Sequence, residues 1–221
     1  MTTAKLNAIV QSMASNRPFF YSEADFQHSL ALALKANGYE VFLEYPVKIY
    51  NGIHNVTIHI DMIVKNVVGL FYPIELKYKT RAMTCPGFFG RPHQLRGHSA
   101  QDINRYLFWK DVDRLENLKN QYEGKICGGF VLILSNDEAY WQQPKLSNCI
   151  DRLFRIHPGL NVQAVDWKDT KDAPDYVTKQ SRYNHFRLQN SYLVPEWQHY
   201  SNVKDIKTGK FLDFKYLTIS V

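Results

Sequence analysis

The sequence of 221 residues predicts an α/β fold, because segments with helical periodicity alternate with apolar runs typical of β-strands. In chain order the pattern is a helix, three strands, a second helix, a strand, a short helix and a further strand. The apolar fraction of 45% and the charged fraction of 22% are those of an ordinary globular domain. A chain of this length can form one large domain, or one domain with a small extension.

The first predicted helix covers residues 22–37 and has recognisable ends. Ser22 is a suitable N-cap, Asp25 stands three residues later where a capping box places an acid, and Gly38 ends the helix. Four apolar side chains recur at helical spacing and are expected to meet the core: Phe26, Leu30, Ala33 and Leu34.

Three strand-like runs follow this helix. The first covers 39–50 and ends at the turn dipeptide Asn51-Gly52. The next two, 56–64 and 72–78, are joined by a short connection, so they predict an antiparallel hairpin.

The segment 80–100 is rich in Gly, Pro, Arg and His, and it predicts a long loop that is functional or mobile. After it come the remaining predicted elements: a helix at 101–119, a strand at 128–134, a short helix at 148–156 and a strand at 161–167.

The domain organisation that follows is a core at 1–168 and a C-terminal extension at 169–221, packed on the core. The extension is rich in Tyr, Arg, Lys, Asn and His, and only its final FKYLTISV predicts a strand.

Composition indicates a cytoplasmic protein. The opening residues lack the apolar stretch of a secretory signal, and no apolar run is long enough to span a bilayer. Three cysteines without CxxC spacing argue against a disulfide framework. The net charge of +6 and pI of about 9.1 permit a polyanionic partner without requiring one.

Three charged residues interrupt the apolar runs of the predicted hairpin: Asp61, Glu75 and Lys77. Charged groups are rare in strands this apolar unless something pairs with them. Because side chains alternate along a strand, Glu75 and Lys77 share one face. If the hairpin is centred near Val68, Asp61 lies across from Glu75.

Two opposed carboxylates repel each other unless a cation lies between them. Oxygen ligands without nearby sulfur suit Mg²⁺ or Mn²⁺ better than zinc. Lys77, one step along the same face, could hold a phosphate, or position or deprotonate a water. Strict alternation also places Thr57 and His59 on the face of Asp61, and Ile58, Ile60 and Met62 on the other.

Asp61, thirteen intervening residues and then Glu75-Leu76-Lys77 resemble the D-x(n)-(D/E)-x-K signature of the PD-(D/E)XK nuclease superfamily, the restriction-endonuclease-like fold. The predicted order of elements over 22–134 is similar to that family's α-β-β-β-α-β core, a central mixed sheet flanked by helices. The resemblance implies a Mg²⁺-dependent endodeoxyribonuclease in which Mn²⁺ can substitute, belonging to a prokaryote or phage and serving restriction, defence or a mobile element.

The resemblance also implies roles for particular residues. Asp61, Glu75 and the Leu76 carbonyl would bind the metal, with Glu23 of the first helix binding directly or through water, and Lys77 would be catalytic. Ile60 stands where the proline that names the motif would precede Asp61, at a position that varies widely in the family.

Two further residues are candidates for accessory roles. Gln101 and Tyr106 are one residue too far apart for the Q-x-x-x-Y pattern of the RecB-like branch, although Gln101 can still approach the site. His59 is near the expected metal, but a packed neighbour is the more usual role for such a histidine.

DNA is the expected partner, and RNA is not excluded. Arg81, Arg91 and Arg96 of the predicted loop are candidates for phosphate contacts, and solvated surface charge is an equal alternative. The extension mixes basic and aromatic side chains that suit nucleic acid or packing on the core: Lys179, Arg182, Tyr183, His185, Arg187 and Tyr192. A homodimer would suit double-strand cleavage.

Other interpretations remain open. The chain could be a nuclease-like module that binds nucleic acid or a protein without cutting. The three strand charges could instead form a salt bridge on a solvated sheet face, and Glu23 could simply favour the dipole of its helix. Cys85, His93 and His98 share the loop, but their spacing matches no familiar zinc site.

Overall fold

The computed structural model describes residues 1–50, 54–146, 148–167 and 185–221. Its helices are α1 (Thr3–Met13), α2 (Glu23–Ala36) and α3 (Gln101–Gln121). Its strands are β1 (Glu40–Tyr50), β2 (Asn55–Lys65), β3 (Phe71–Lys79), β4 (Met83–Cys85), β5 (His93–Leu95), β6 (Phe130–Ser135), β7 (Asn161–Val165), β8 (Phe186–Leu193), β9 (Gln198–Lys204) and β10 (Phe211–Ser220).

A six-stranded mixed sheet in the order β1-β2-β3-β6-β10-β9 forms the centre of the fold. β3 and β6 are parallel, and the other neighbours in this sheet are antiparallel. Two small sheets pair β4 with β5 and β7 with β8. The prediction of an α/β fold with a mixed central sheet is confirmed.

Each face of the central sheet carries its own hydrophobic core. On the face that we call the α2 face, α1 and α2 pack on the strands, with Phe26 and Leu76 in one cluster. On the opposite face, the α3 face, α3 packs on the strands, with Trp109 and Val131 in a second cluster. A sheet buried on both faces holds its central strands rigidly, so it is a firm support for side chains at their ends.

Helix α2 begins and ends where the sequence predicts. The Ser22 hydroxyl accepts a hydrogen bond from the Asp25 amide at 3.1 Å, and Gly38 has a φ of 84°. Asp25 itself accepts from the Tyr21 amide at 2.9 Å and pairs with Arg17 at 2.5 Å. Helix α1 is an addition to the predicted elements.

The predicted helix at 148–156 is wrong, because its described residues form turns. This segment is held by contacts with side chains of α3, and not by the backbone hydrogen bonds of a helix. The Trp109 indole donates to the Phe154 carbonyl at 2.8 Å, and Arg105 forms a buried ion pair with Asp151.

The segment 80–100 is more ordered than a simple loop. It contains the β4–β5 hairpin and a short 3₁₀ turn at Phe88–Gly90 between the two strands. The His98 amide donates to the Thr80 carbonyl at 2.7 Å, which closes the base of the segment.

Part of the predicted extension belongs to the central sheet, whereas β8 pairs with β7 in a small sheet of its own. β10 lies between β6 and β9, so these last two strands complete the central sheet instead of packing on it. The Asn51-Gly52 turn, the boundary near 168 and the candidates Lys179, Arg182 and Tyr183 lie outside the described residues. Within the described ranges, none of the three helices combines the length and apolarity needed to cross a membrane.

Glu116 of α3 ties β8 to the core, and its removal should destabilise the protein. Its buried carboxylate accepts from the Gln189 amide at 2.8 Å, the Asn190 amide at 2.9 Å and the Tyr192 hydroxyl at 2.9 Å. Glu116→Ala leaves these donors without an acceptor, so we expect urea denaturation to show a loss of about 3 kcal/mol in the free energy of unfolding. Glu123→Ala, at an exposed acid just after the helix, should change it by under about 0.5 kcal/mol. Equal effects of the two substitutions would contradict this role.

Candidate functional site

The predicted register of the hairpin is confirmed. β2 and β3 pair from Lys65–Phe71 to Met62–Ile74, and one further step places Asp61 opposite Glu75. The hydrogen-bonded ladder between β2 and β3 ends at the Met62–Ile74 pair, and the rest of β2 pairs only with β1. The other edge of β3 stays paired with β6 as far as Lys79. The last five residues of β3 therefore have an open edge where β2 has separated from them.

Where this separation begins, the alternation of side chains in β1 and in β2 is interrupted, so that residues an even number of positions apart lie on opposite faces of the sheet. In β2, Ile60 packs on the α3 face and Met62 on the α2 face, although residues two apart in a regular strand share one face. In β1, Val47 and Leu43 show the same exchange. The expectation that Ile60 and Met62 share a face is therefore wrong, and His59 lies on the opposite side of the sheet from Asp61.

Gln27 of α2 holds the point of exchange in place. Glu44, which lies opposite Asp61 in β1, has a φ of 48°, in the left-handed region that non-glycine residues rarely adopt. The Gln27 side-chain amide donates to the Asp61 carbonyl at 2.6 Å and to the Glu44 carboxylate at 2.8 Å. Both strands are thus fixed to α2 at the position where the sheet opens.

At the open edge of β3, the side chains of two predicted acidic residues accept the hydrogen bonds that the backbone of β2 would otherwise accept. The Asp61 carboxylate accepts the Leu76 amide at 2.7 Å, and the Glu23 carboxylate accepts the Tyr78 amide at 2.7 Å. Lys79 also donates to Glu23 at 3.3 Å. Backbone amides need partners wherever a strand edge is unpaired, and here carboxylates supply them.

Helix α3 supplies two charged residues that complete a buried cluster with β3. Arg114 donates to the Glu75 carboxylate at 2.7 Å and to the Asp111 carboxylate at 2.7 Å. Lys77 forms an ion pair with Asp111, and its ammonium group also lies 3.3 Å from the Leu76 carbonyl. With Asp61, these residues form what we call the charge cluster: Asp61, Glu75, Lys77, Asp111 and Arg114.

The charge cluster contains three carboxyl groups and two cations, so it is one positive charge short of neutrality. Burial and the neighbouring Asp111 raise the pKa of Glu75 to about 9, although Arg114 opposes the shift. Burial also raises the pKa of Asp61, against the lowering effect of the Leu76 amide. The missing charge can thus be supplied by a proton, or by a metal cation.

The pKa of Lys77 is raised as well. Burial by itself would lower it, but the adjacent Asp111 outweighs burial, and Glu75 and Asp61 add to the increase. The side chain is therefore held as an ammonium ion. In this form Lys77 donates hydrogen bonds and cannot accept a proton.

The donor atoms of the cluster are suited to a hard divalent cation. Asp61 and Glu75 lie opposite each other at the end of the β2–β3 ladder, and the Leu76 carbonyl lies between the edge positions of Asp61 and Glu23. These are oxygen ligands of the kind that Mg²⁺ and Mn²⁺ prefer. In the part of the chain that the structure describes, no three His, Cys, Asp or Glu side chains are arranged to hold a metal ion. Protein cations and backbone amides take up the carboxylate oxygens.

The predicted accessory residue Gln101 lies away from the cluster. It donates to Asp137 at 3.0 Å, and it is ten residues before Asp111 on α3, about 15 Å along the helix axis. The fold therefore brings together Asp61, Glu75 and Lys77. Glu23 lies next to them on the Tyr78 amide, and Gln101 lies outside the site.

The three candidate arginines lie at the surface beyond the end of β3. Arg81 is exposed, and its backbone is held by the Asn136 side chain at 2.7 Å. Arg96 lines a cleft of about 270 Å³ with Lys79 and His98, next to Glu23. Arg91 lines a neighbouring cleft of about 340 Å³. Both clefts include Tyr21.

The alternative of zinc in the 80–100 segment is not supported by the environment of Cys85. This residue is completely buried, and burial raises the pKa of its thiol to about 12. Zinc binds the thiolate, which is disfavoured here.

Asp111 and Arg114 are the functional candidates that the sequence analysis did not identify. Asp111 falls on the apolar stripe of its helix, four residues before the buried Leu115. A charged residue on such a stripe is a signal for a buried partner, and Arg114 is the neighbour three residues on. The sequence of α3 alone does not predict which strand Asp111 and Arg114 contact.

Comparison with known proteins assigns no family to the chain: no protein-family model, no curated protein and no solved structure matches it. The resemblance to PD-(D/E)XK nucleases therefore depends on the motif and on the geometry of the strands that carry it.

The raised pKa of Glu75 predicts how stability depends on pH without metal. The folded protein keeps a proton up to about pH 9 that the unfolded chain loses near 4.5, so stability falls as the pH rises between these values. Glu75→Gln removes this titration, and in EDTA it should gain on wild type by up to about 1.4 kcal/mol per pH unit. Urea denaturation at several pH values measures the difference, with Glu123→Gln as the control for an exposed acid. A difference between Glu75→Gln and wild type that does not vary with pH would show that Glu75 titrates normally.

Proposed function

We propose that this protein is a metal-dependent nuclease of the PD-(D/E)XK type that hydrolyses phosphodiester bonds in DNA. The observation that carries the proposal is the separation of β2 from β3 at the Asp61–Glu75 pair. It leaves two carboxyl groups, the Leu76 carbonyl and the Lys77 ammonium at one open edge.

In this proposal Mg²⁺, or Mn²⁺ in its place, is held by Asp61, Glu75 and the Leu76 carbonyl, with Glu23 at the next amide along the edge. The bound cation supplies charge neutralisation at the phosphate and lowers the pKa of a water molecule. Lys77, held as an ammonium ion, donates to the phosphate or to the attacking water and so orients it.

The nucleic acid would pass along the basic surface beyond β3. Arg96, Lys79 and His98 lie together at one cleft, and Arg91 lies at the next. Arg81 is exposed nearby. Such cations bind phosphates without reading bases, so this surface suits DNA and also RNA.

A second candidate function is binding without cleavage, to nucleic acid or to a protein. It is favoured by a specific observation: Arg114 and Lys77 already pair with Glu75 and Asp111. A site in which protein cations satisfy the carboxylates permanently would bind no metal.

Nuclease activity is tested by incubating supercoiled plasmid, linear duplex, single-stranded DNA and RNA with the protein in Mg²⁺, Mn²⁺ or EDTA. We expect metal-dependent cleavage, with Lys77→Ala and Glu75→Ala slowed by a factor of about 100 or more. The pattern of products then identifies the substrate.

Lys110→Ala is the matched control, because Lys110 is an exposed lysine of α3 that pairs with Asp113 outside the cluster. It should cleave like wild type. Circular dichroism verifies that each variant is folded. Folded wild-type protein that cuts none of the four substrates would contradict the nuclease proposal and favour binding without cleavage.

A further inference from the structure

We propose that Arg114 is a resident counter-ion of the charge cluster, and that a divalent cation displaces it from Glu75. This inference rests on the proposed metal-dependent function, and it concerns a residue outside the D-x(n)-E-x-K motif. In the metal-free protein the guanidinium holds the Glu75 carboxylate, and in the metal-bound protein the cation takes its place.

Arg114 lies between two buried carboxylates and is the more exposed cation of the cluster. Its guanidinium bridges Glu75 and Asp111, with both nitrogen–oxygen distances 2.7 Å. The side chain of Glu75 is 2% exposed, whereas that of Arg114 is 29% exposed. Arg114 therefore reaches the buried carboxylate from the solvent side and can withdraw without unpacking the helix. Lys77, at 16% exposure, is more enclosed.

The net charge of the cluster favours release of Arg114 when a divalent cation binds. Because a metal binds ionised carboxylates, all three carboxyl groups count as ionised in the metal-bound protein, and three negative charges then face the two positive charges of Lys77 and Arg114. Adding a divalent cation gives a net charge of +1 and places it beside a guanidinium in a poorly hydrated site, where like charges repel strongly. Once Arg114 has left, the cation and Lys77 balance the three carboxylates completely.

The released Arg114 side chain could bind the substrate. Arg114 contacts Glu75, which lies opposite Asp61 at the open edge of β3, so its released side chain would stay close to where the proposed substrate would lie. A planar guanidinium pairs well with phosphate oxygens. Displacement by the metal would thus free the Arg114 guanidinium to bind phosphate only when the metal ion is bound.

Mn²⁺ binding, followed by the electron paramagnetic resonance signal of the free ion, tests the inference without relying on activity. Arg114→Gln removes the competing cation and should lower the dissociation constant for Mn²⁺ about tenfold, as expected for the loss of a neighbouring like charge. Arg114→Lys keeps the charge and should remain close to wild type. Lys110→Gln, the loss of one exposed charge on the same helix, should leave the constant unchanged.

The outcomes separate this inference from the proposed function. Mn²⁺ binding of equal strength in wild type and Arg114→Gln, or weaker binding in Arg114→Gln, would overturn displacement and leave the nuclease proposal standing. No Mn²⁺ binding by any of the proteins would overturn both.

Should Arg114→Gln fail to fold, wild-type protein provides the readout. The Nε–Hε signal of Arg114 in a ¹⁵N-labelled sample, assigned by its absence from Arg114→Lys, should shift as Mg²⁺ is added. A signal that stays in place while Mg²⁺ binds would contradict displacement.

Discussion

The structure depends on which groups accept hydrogen bonds from the backbone amides at the open edge of β3, beyond the point where β2 separates from it. Unpaired backbone amides in a partly buried strand are costly, so Leu76 and Tyr78 require acceptors. Asp61 and Glu23 provide them with their side chains. The constraint that preserves the strand therefore also gathers carboxylates at one edge. Side-chain alternation then places Glu75 and Lys77 on the face that meets α3.

A buried group of charges is tolerable only when its members are paired. α3 meets this requirement in part with Arg114 and Asp111, since the three carboxyl groups of the charge cluster still outnumber its two cations by one. Burial and Asp111 raise the pKa of Glu75 in this setting. In this structure the carboxyl groups of the cluster are held by protein cations and backbone amides. Stability and the proposed function thus depend on the same charge balance, in which Arg114 holds the Glu75 carboxylate and, as we propose, a metal competes for it.

Much of this arrangement could be predicted from local sequence. The register of the hairpin follows from its turn, where Gly69 has a φ of 86° and the Asn66 side chain accepts from the Val68 and Leu70 amides. The exchange of faces at Asp61 could not be predicted, because it requires Gln27 from another element. The turns at 148–156 cannot be predicted for the same reason: the groups that hold them are side chains of α3, distant in sequence.

The measurement that tests the central claim most directly is anomalous diffraction from crystals of wild-type protein grown with Mn²⁺. We expect a peak between the Asp61 and Glu75 carboxylates, next to the Leu76 carbonyl. A folded protein with no peak at this position, and with Arg114 still bonded to Glu75, would contradict it. The open edge of β3 would then be a structural feature closed by ion pairs.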